Sequence, residues 1–314
     1  MSFKTANAFS GKSVKKATVD NTKSSEKIGL QTVDEALDEY CYKSLTNLPG
    51  ETESEKIKKA CRGVQQIPSC YSQEGRPIFH KEFIGTSKTG QRILVFAVTH
   101  GDEAESGVVA ASWMKRLANL DSRNSWRVVP LLNPDGLKRG TRMNANGVDI
   151  NRNFPTEDFH AKALNRWETV EKKDPRRYPG KFPASESETR CAIDHIKSYS
   201  PSFIVSVHTP YGVLDFDGPN VVFPTIPGLP WKSLGHMPGS LGRFMWRDHK
   251  TPVLTVELKG MEDLEKIDRL ERIQDASGTV AIRSSKKQPD RKKLSWPPDL
   301  PKSDASDTSI QPNN

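Results

Sequence analysis

The stretch from Arg92 to Thr99 limits the possible folds more than any other part of this chain. Ile93, Leu94, Val95, Phe96, Ala97 and Val98 form an unbroken apolar run and read as a buried strand. The run stops at His100-Gly101-Asp102-Glu103, and a helix is expected from Val108 to Leu120. The same pattern recurs. Ile78 to Gly85 reads as a strand, as does Trp126 to Leu132, which ends at Asn133-Pro134-Asp135-Gly136. Ser202 to Val207 ends at His208, and Pro252 to Val256 ends at Glu257. A helix is expected over Ser185 to Tyr199, opened by Ser185 and Glu188 at capping-box spacing. Strands alternating with helices predict an α/β fold with a mixed central sheet flanked by helices. Polar breaks at the ends of apolar strands place a candidate site there, because ligands in open α/β sheets lie beyond the carboxyl ends of the strands.

His100 and Glu103 stand three apart on one such break, and an imidazole and a carboxylate at that spacing can share a divalent ion. The pair alone does not separate a metal site from a capped acidic turn. His208, at the rim after Phe203 to Val207, is the natural third ligand: a catalytic zinc takes three protein ligands and keeps one position open. His80, His160, His195, His236 and His249 lack comparable settings, and His195, inside the expected helix, reads as structural. Glu257 closes an apolar run, where burial raises a carboxylate's pKa and suits it to act as base and then acid. The segment Arg139 to Phe154 carries Arg139, Arg142 and Arg152 among Asn and Gly residues. Arginine forks bind carboxylates in a bidentate manner, and an arginine can also hold an oxyanion.

The polar ends of the chain bound the domain. Residues 1–27 are Ser/Thr/Lys/Asn-rich and are expected to be a disordered tail, and 277–314 a disordered basic tail. Residues 28–66 are expected as a helical N-terminal extension, with helices near 32–48 and 51–65 broken at Asn47-Leu48-Pro49-Gly50. The remaining 67–276 is the expected catalytic domain, including one helix over Met261 to Gln274. Much of the net charge of +8 lies in the tails, which carry no interleaved aromatics, so nucleic acid is not the expected partner. The N-terminus has no apolar signal core, and no run of about 18 apolar residues exists, so a cytoplasmic protein without a membrane span is expected. Cys41, Cys61, Cys70 and Cys191 form no C-x-x-C, which argues against a thiolate zinc site and suggests free thiols in a reducing compartment.

Taken in order, His100-x-x-Glu103, Asn133-Pro134-Asp135-Gly136, Gly147-Val148-Asp149-Ile150-Asn151-Arg152-Asn153-Phe154, Tyr178-Pro179-Gly180 with Ser185 to Thr189, His208 and Thr255-Val256-Glu257 resemble the M14 zinc carboxypeptidases over residues 71 to 260. His208-Thr209-Pro210, Asp215 to Pro219 and Pro238 to Gly242 are similar to the murein peptide amidase branch. The resemblance implies a zinc carboxypeptidase-like fold and one Zn2+ per chain held by His100, Glu103 and His208, with Glu257 as general base. It implies that Asn151 and Arg152 grip a substrate carboxylate, and that Arg142, or alternatively Arg139, stabilises the oxyanion. The implied reaction is hydrolysis of an amide on the C-terminal side, with murein tripeptide and its γ-D-Glu–meso-diaminopimelate bond as the expected substrate. Asp215 and Asp217 are candidates for holding the extra ammonium of diaminopimelate. The family's mobile tyrosine has no secure counterpart, Tyr211 being the only tyrosine between His208 and Glu257. Alternatives are a zinc deacylase of N-acyl amino acids, of the aspartoacylase or desuccinylase kind, and a non-catalytic ligand-binding relative. Oligomeric state is not legible.

Overall fold

A computed structural model describes residues 35–50, 53–264 and 267–287. Residues 35–46 form helix α1, and α2 is Ser54–Cys61. Then follow β1 Gln65–Tyr71, β2 Pro77–Phe83, β3 Arg92–Phe96, α3 Ala104–Leu117, β4 Ser125–Val129, α4 Pro134–Arg139 and α5 Phe159–Thr169. The chain continues with α6 Ser187–Tyr199, β5 Phe203–His208, β6 Val213–Asp217, β7 Val253–Glu257, α7 Met261–Leu264 and α8 Ile267–Ser285. The seven strands make one sheet in the order β1-β2-β4-β3-β5-β7-β6. The inner four run parallel, and β1, β2 and β6 join antiparallel at the two sides, so the expected mixed sheet between helices is what the structure shows.

The unbroken apolar runs have a simple cause, since alternate residues of the inner strands enter opposite cores. Ile93, Val95, Ala97, Phe203, Val205 and Val207 pack under α1, α3 and α8, against residues such as Leu45, Trp113 and Ile273. Leu94, Phe96 and Ile204 face the other way, against Ile193 and Ile196 of α6 and Phe244. The same alternation aims Ser206, His208, Thr255 and Glu257 at the α6 side. There the core gives way to a cavity at the strands' carboxyl ends.

Several expectations change in detail. The predicted helix over 51–65 ends at Cys61, and Gln65 already pairs in β1. This strand contains Pro68 and was not foreseen; as the edge of the sheet it tolerates a residue without an N–H. β6, α4 and α5 were also not foreseen. The capping box does not form: Glu186 is the N-cap of α6, and Ser185 Oγ donates to Glu186 Oε1 at 2.6 Å. The helix expected from Met261 to Gln274 is two, and α8 continues to Ser285, past the expected domain end at 276. The remainder of the two expected disordered tails, 1–27 and 288–314, lies outside the described residues.

The cysteine reading is corrected. Cys41 pairs with Cys61, fastening α1 to α2, and Cys70 pairs with Cys191, fastening β1 to α6; none remains free. No local motif announces either pair, because the partners stand 20 and 121 residues apart. His195 is fully buried in α6. Burial holds it well below the usual imidazole range and pushes His80 down to about 3, so both rings are neutral. Among the described residues no helix is long and apolar enough to cross a membrane.

Candidate active site

Two breaks at strand ends bring the expected metal ligands together. His100 and Glu103 sit on the turn between β3 and α3, and His208 is the last residue of β5. His100 Nδ1 is 2.7 Å from Glu103 Oε1, His208 Nδ1 is 2.8 Å from Glu103 Oε2, and the two Nδ1 atoms are 3.2 Å apart. One donor atom from each residue lies within 4.8 Å of the others, and all three side chains are buried. Donors about 2.0–2.2 Å from one tetrahedral zinc stand roughly 3.3 Å from one another. The donor set and its spacing therefore fit zinc.

The outer ring nitrogens are fixed by partners absent from the expected list. His100 Nε2 meets Asp149 Oδ1 at 3.1 Å, and His208 Nε2 meets Ser206 Oγ at 2.8 Å. Such partners set the tautomer and leave Nδ1 free to ligate. Ser206 carried a readable signal, since it lies two residues before His208 and so on the same face of the strand. Asp149 sits inside the Gly147–Phe154 motif, where nothing local marks it as a partner of His100. Burial favours the neutral acid at Glu103, yet His100 and His208 outweigh it and hold Glu103 below the usual carboxylate range.

The turn carrying His100 and Glu103 is held by strain and by close contact. Val98, β-branched, has a φ of +48°. Its N–H donates to Ser106 Oγ at 2.8 Å, and its carbonyl accepts from Asn133 N at 2.9 Å. Ser106 Oγ in turn donates to the Glu103 carbonyl at 2.7 Å. Gly101 passes so near Gly136 that an added Cβ would lie 1.9 Å from its carbonyl carbon, so only glycine fits. The Asn133-Pro134-Asp135-Gly136 motif is thus a clamp: Asn133 caps α4 through Gly136 N, and its Nδ2 donates to the Thr99 and Arg142 carbonyls.

Glu257 is placed by strand register. It pairs with His208 across β5 and β7 and with Val213 across β7 and β6. Burial pushes its carboxyl up to about 7; His208 opposes this and Glu103 adds to it. The Tyr211 N–H reaches its Oε2 at 3.5 Å, and the Tyr211 side chain is 63% exposed on the cavity wall.

The arginines separate clearly. Arg142 lies in the site: Nη1 is 3.2 Å from His100 Nδ1 and 3.3 Å from Glu103 Oε1, and Nε donates to Asp149 Oδ2 at 3.0 Å. Arg139 lies outside the cavity, where it pairs with Glu74 and donates to the Ala145 carbonyl at 3.1 Å. Asn151 and Arg152 line the cavity. Asn151 Oδ1 accepts from Leu241 N at 2.9 Å. Arg152 Nη1 donates to the Asn151 carbonyl at 2.8 Å, its Nε is buried without a partner, and no carboxylate pairs with it among the described residues. Burial pushes its pKa down, Asp149 only partly offsetting this, so the site holds a cation short of an anion. The neighbouring amides do other work: Asn144 Nδ2 ties down Glu186 and Glu188 at 2.7 and 2.9 Å.

These groups surround a cavity of about 660 Å³. Asp215 and Asp217 of β6 line it, on the same sheet face as Glu257. Burial raises both carboxyls, Asp217 to about 7 with Asp215 contributing. His236 Nδ1 stands 3.0 Å from Asp217 Oδ1.

The chain has known relatives. The zinc carboxypeptidase family model matches residues 56–215, about half of the chain. Murein peptide amidase A of Escherichia coli (strain K12) is 37% identical over 124 residues, which is 39% of this chain and 50% of that protein. The chain therefore spans about half the length of the Escherichia coli relatives it matches. Murein peptide amidase A of Vibrio campbellii is 28% identical over 204 residues, covering 61% of this chain and 79% of that protein. Among solved structures, the carboxypeptidase A of Helicoverpa armigera shares the fold with a TM-score of 0.56 at 16% identity, covering 83% of this chain and 82% of the other.

Proposed function

Because the chain belongs to the zinc carboxypeptidase family, we propose that it is a zinc-dependent amidase. It cleaves the amide on the acyl side of a residue bearing a free carboxylate, and its substrate is murein tripeptide, cut between γ-D-Glu and meso-diaminopimelate. The observation that carries this reading is the convergence of His100 and Glu103, on one turn, with His208 from a separate strand end, and with Glu257 on the strand next to His208. His100, Glu103 and His208 would hold one zinc ion per chain. When bound, the zinc supplies Lewis acidity toward water and the scissile carbonyl.

Glu257 takes a proton from the attacking water and returns it to the leaving amine; a carboxyl raised to about 7 is matched to both transfers. Arg142 offers its guanidinium to the developing oxyanion, while Asp149 fixes its orientation. Asn151 and Arg152 bind the substrate carboxylate, which supplies the anion that Arg152 lacks. Asp215 and Asp217 hold the second ammonium of diaminopimelate, whose charge favours their ionised forms. The names of the curated relatives support the choice of murein peptide. The two disulfides favour an oxidising compartment over the cytoplasmic setting expected from the sequence.

The test is hydrolysis of L-Ala-γ-D-Glu-meso-diaminopimelate beside an ordinary peptide with the same C-terminal carboxylate, before and after chelation. Release of diaminopimelate, lost with chelator and restored by zinc, is expected, with the ordinary peptide cleaved poorly. Undiminished turnover after exhaustive chelation overturns the metal assignment, and equal turnover of both peptides overturns the substrate.

A further inference from the structure

Apart from the residues that line the cavity, a second cluster of metal-binding side chains lies in the core between α6 and the sheet. Cys191 and His195 are one turn apart on α6, and Cys70 comes from β1. One ring nitrogen of His195 and the sulfurs of Cys70 and Cys191 lie within 4.8 Å of one another, and all three residues are buried. His195 is fully buried, yet neither of its ring nitrogens has a hydrogen-bond partner. Buried polar groups are almost always hydrogen-bonded, so a purely structural histidine would not leave both nitrogens without a partner. His80 stands beside it, ring centroids 4.9 Å apart, with its own Nδ1 also unpartnered. Two sulfurs and two neutral imidazoles, with a pair at i and i+4 on one helix, are a zinc-type donor set.

We propose that Cys70, Cys191 and His195, with His80 as fourth donor, form a second metal site, which holds zinc or a similar thiophilic divalent ion when the cysteine pair is reduced. The same side chains then have two states: a disulfide beside an unpartnered imidazole, or a metal thiolate centre in which the imidazole is used. With a phosphine as reductant, the phosphorus takes an oxygen from water and the S–S bond becomes two thiols. Binding of the divalent ion then displaces the two thiol protons. The sulfurs need only part to roughly 3.8 Å, the separation of two thiolates on one tetrahedral zinc. Both sulfurs are buried, but β1 is the edge strand of the sheet, so the pair lies at its border. The cysteine spacing contains no C-x-x-C; the fold supplies the proximity instead.

The test titrates phosphine-reduced full-length protein with Cd2+ and follows thiolate-to-metal charge-transfer absorption. The His100, Glu103 and His208 group contains no sulfur, so it does not contribute to that signal. A Cys41→Ser/Cys61→Ser background removes the other cysteine pair, and the wild-type chain is run beside it in case that background folds poorly. One equivalent of Cd2+ per chain is expected to give the band, with none in the oxidised protein. His195→Asn, which keeps both cysteines, is expected to weaken binding by more than about tenfold, since losing even an outer-shell partner costs ~10–100-fold. No band, a band unchanged by His195→Asn, or reduced protein that stays unfolded with Cd2+ present overturns the proposal.

Discussion

At the scale of single residues, the chemistry rests on Glu257 and on the arginines that the fold brings inward. Glu257→Gln keeps the shape of the side chain and removes its basicity, so kcat should fall by about 10²–10⁴-fold while zinc content is unchanged. Assay of the variant beside metal analysis checks this. The pH dependence follows from the same residue. Its carboxyl is pushed up to about 7, the base must be ionised, and protonation therefore removes activity as pH falls. The acid limb of kcat/KM should accordingly bend near pH 7, well above an ordinary glutamate, and should vanish from the residual activity of Glu257→Gln. Arg152 has no carboxylate partner among the described residues, with its Nε buried and unpartnered, and should act in binding. Arg152→Met should raise KM about 10–100-fold, equivalent to one charge-assisted hydrogen bond of about 1.5–3 kcal/mol, with a smaller change in kcat. Steady-state kinetics on the murein tripeptide separates the two. Arg139→Met, outside the cavity, is the matched control.

At the scale of elements, the site depends on a few contacts too close for any side chain. Gly239, at φ +77°, lies where an added Cβ would stand 1.8 Å from the Arg152 carbonyl oxygen. Its own carbonyl accepts from Phe154 N at 2.9 Å, so this loop is fastened directly to the segment bearing Asn151 and Arg152. Gly239→Ala should push that segment out of place, raising KM more than it lowers kcat and costing at least about 1 kcal/mol from the positive φ alone. Kinetics with a denaturation curve checks both parts. The elements also show what the sequence makes legible. His100, His208 and Glu257 could be placed because each ends an apolar strand, and strand ends of a parallel sheet lie on one edge. β1 could not, because Pro68 and Gln65 disguise an edge strand as the tail of a helix. The resemblance alone favours Arg142 over Arg139: Arg139 ends α4 and Arg142 lies three residues on, and only the fold shows that Glu74 holds one outward and Asp149 the other inward. Asp149 was visible as a letter in a motif, but its contact with His100 spans 49 residues, which no local rule reaches.

At the scale of the whole molecule, the N-terminal helices are accessory to the sheet and are held by their own covalent tie. Cys41–Cys61 closes a separation of 20 residues, which in the chain-entropy account is worth about 3 kcal/mol. Cys41→Ser/Cys61→Ser should lower the denaturation midpoint by that order while leaving kcat and zinc content unchanged, as calorimetry and assay of one preparation can check. The central strands have the opposite standing. The ligands and the base are borne at the ends of β3, β5 and β7, which pair side by side with helices on both faces. Backbone amides there should be among the last to exchange with deuterium, as the loss of one strand costs the whole body its cohesion. Heating should therefore abolish turnover only as the entire molecule melts, and the thermal inactivation curve should overlie the unfolding curve.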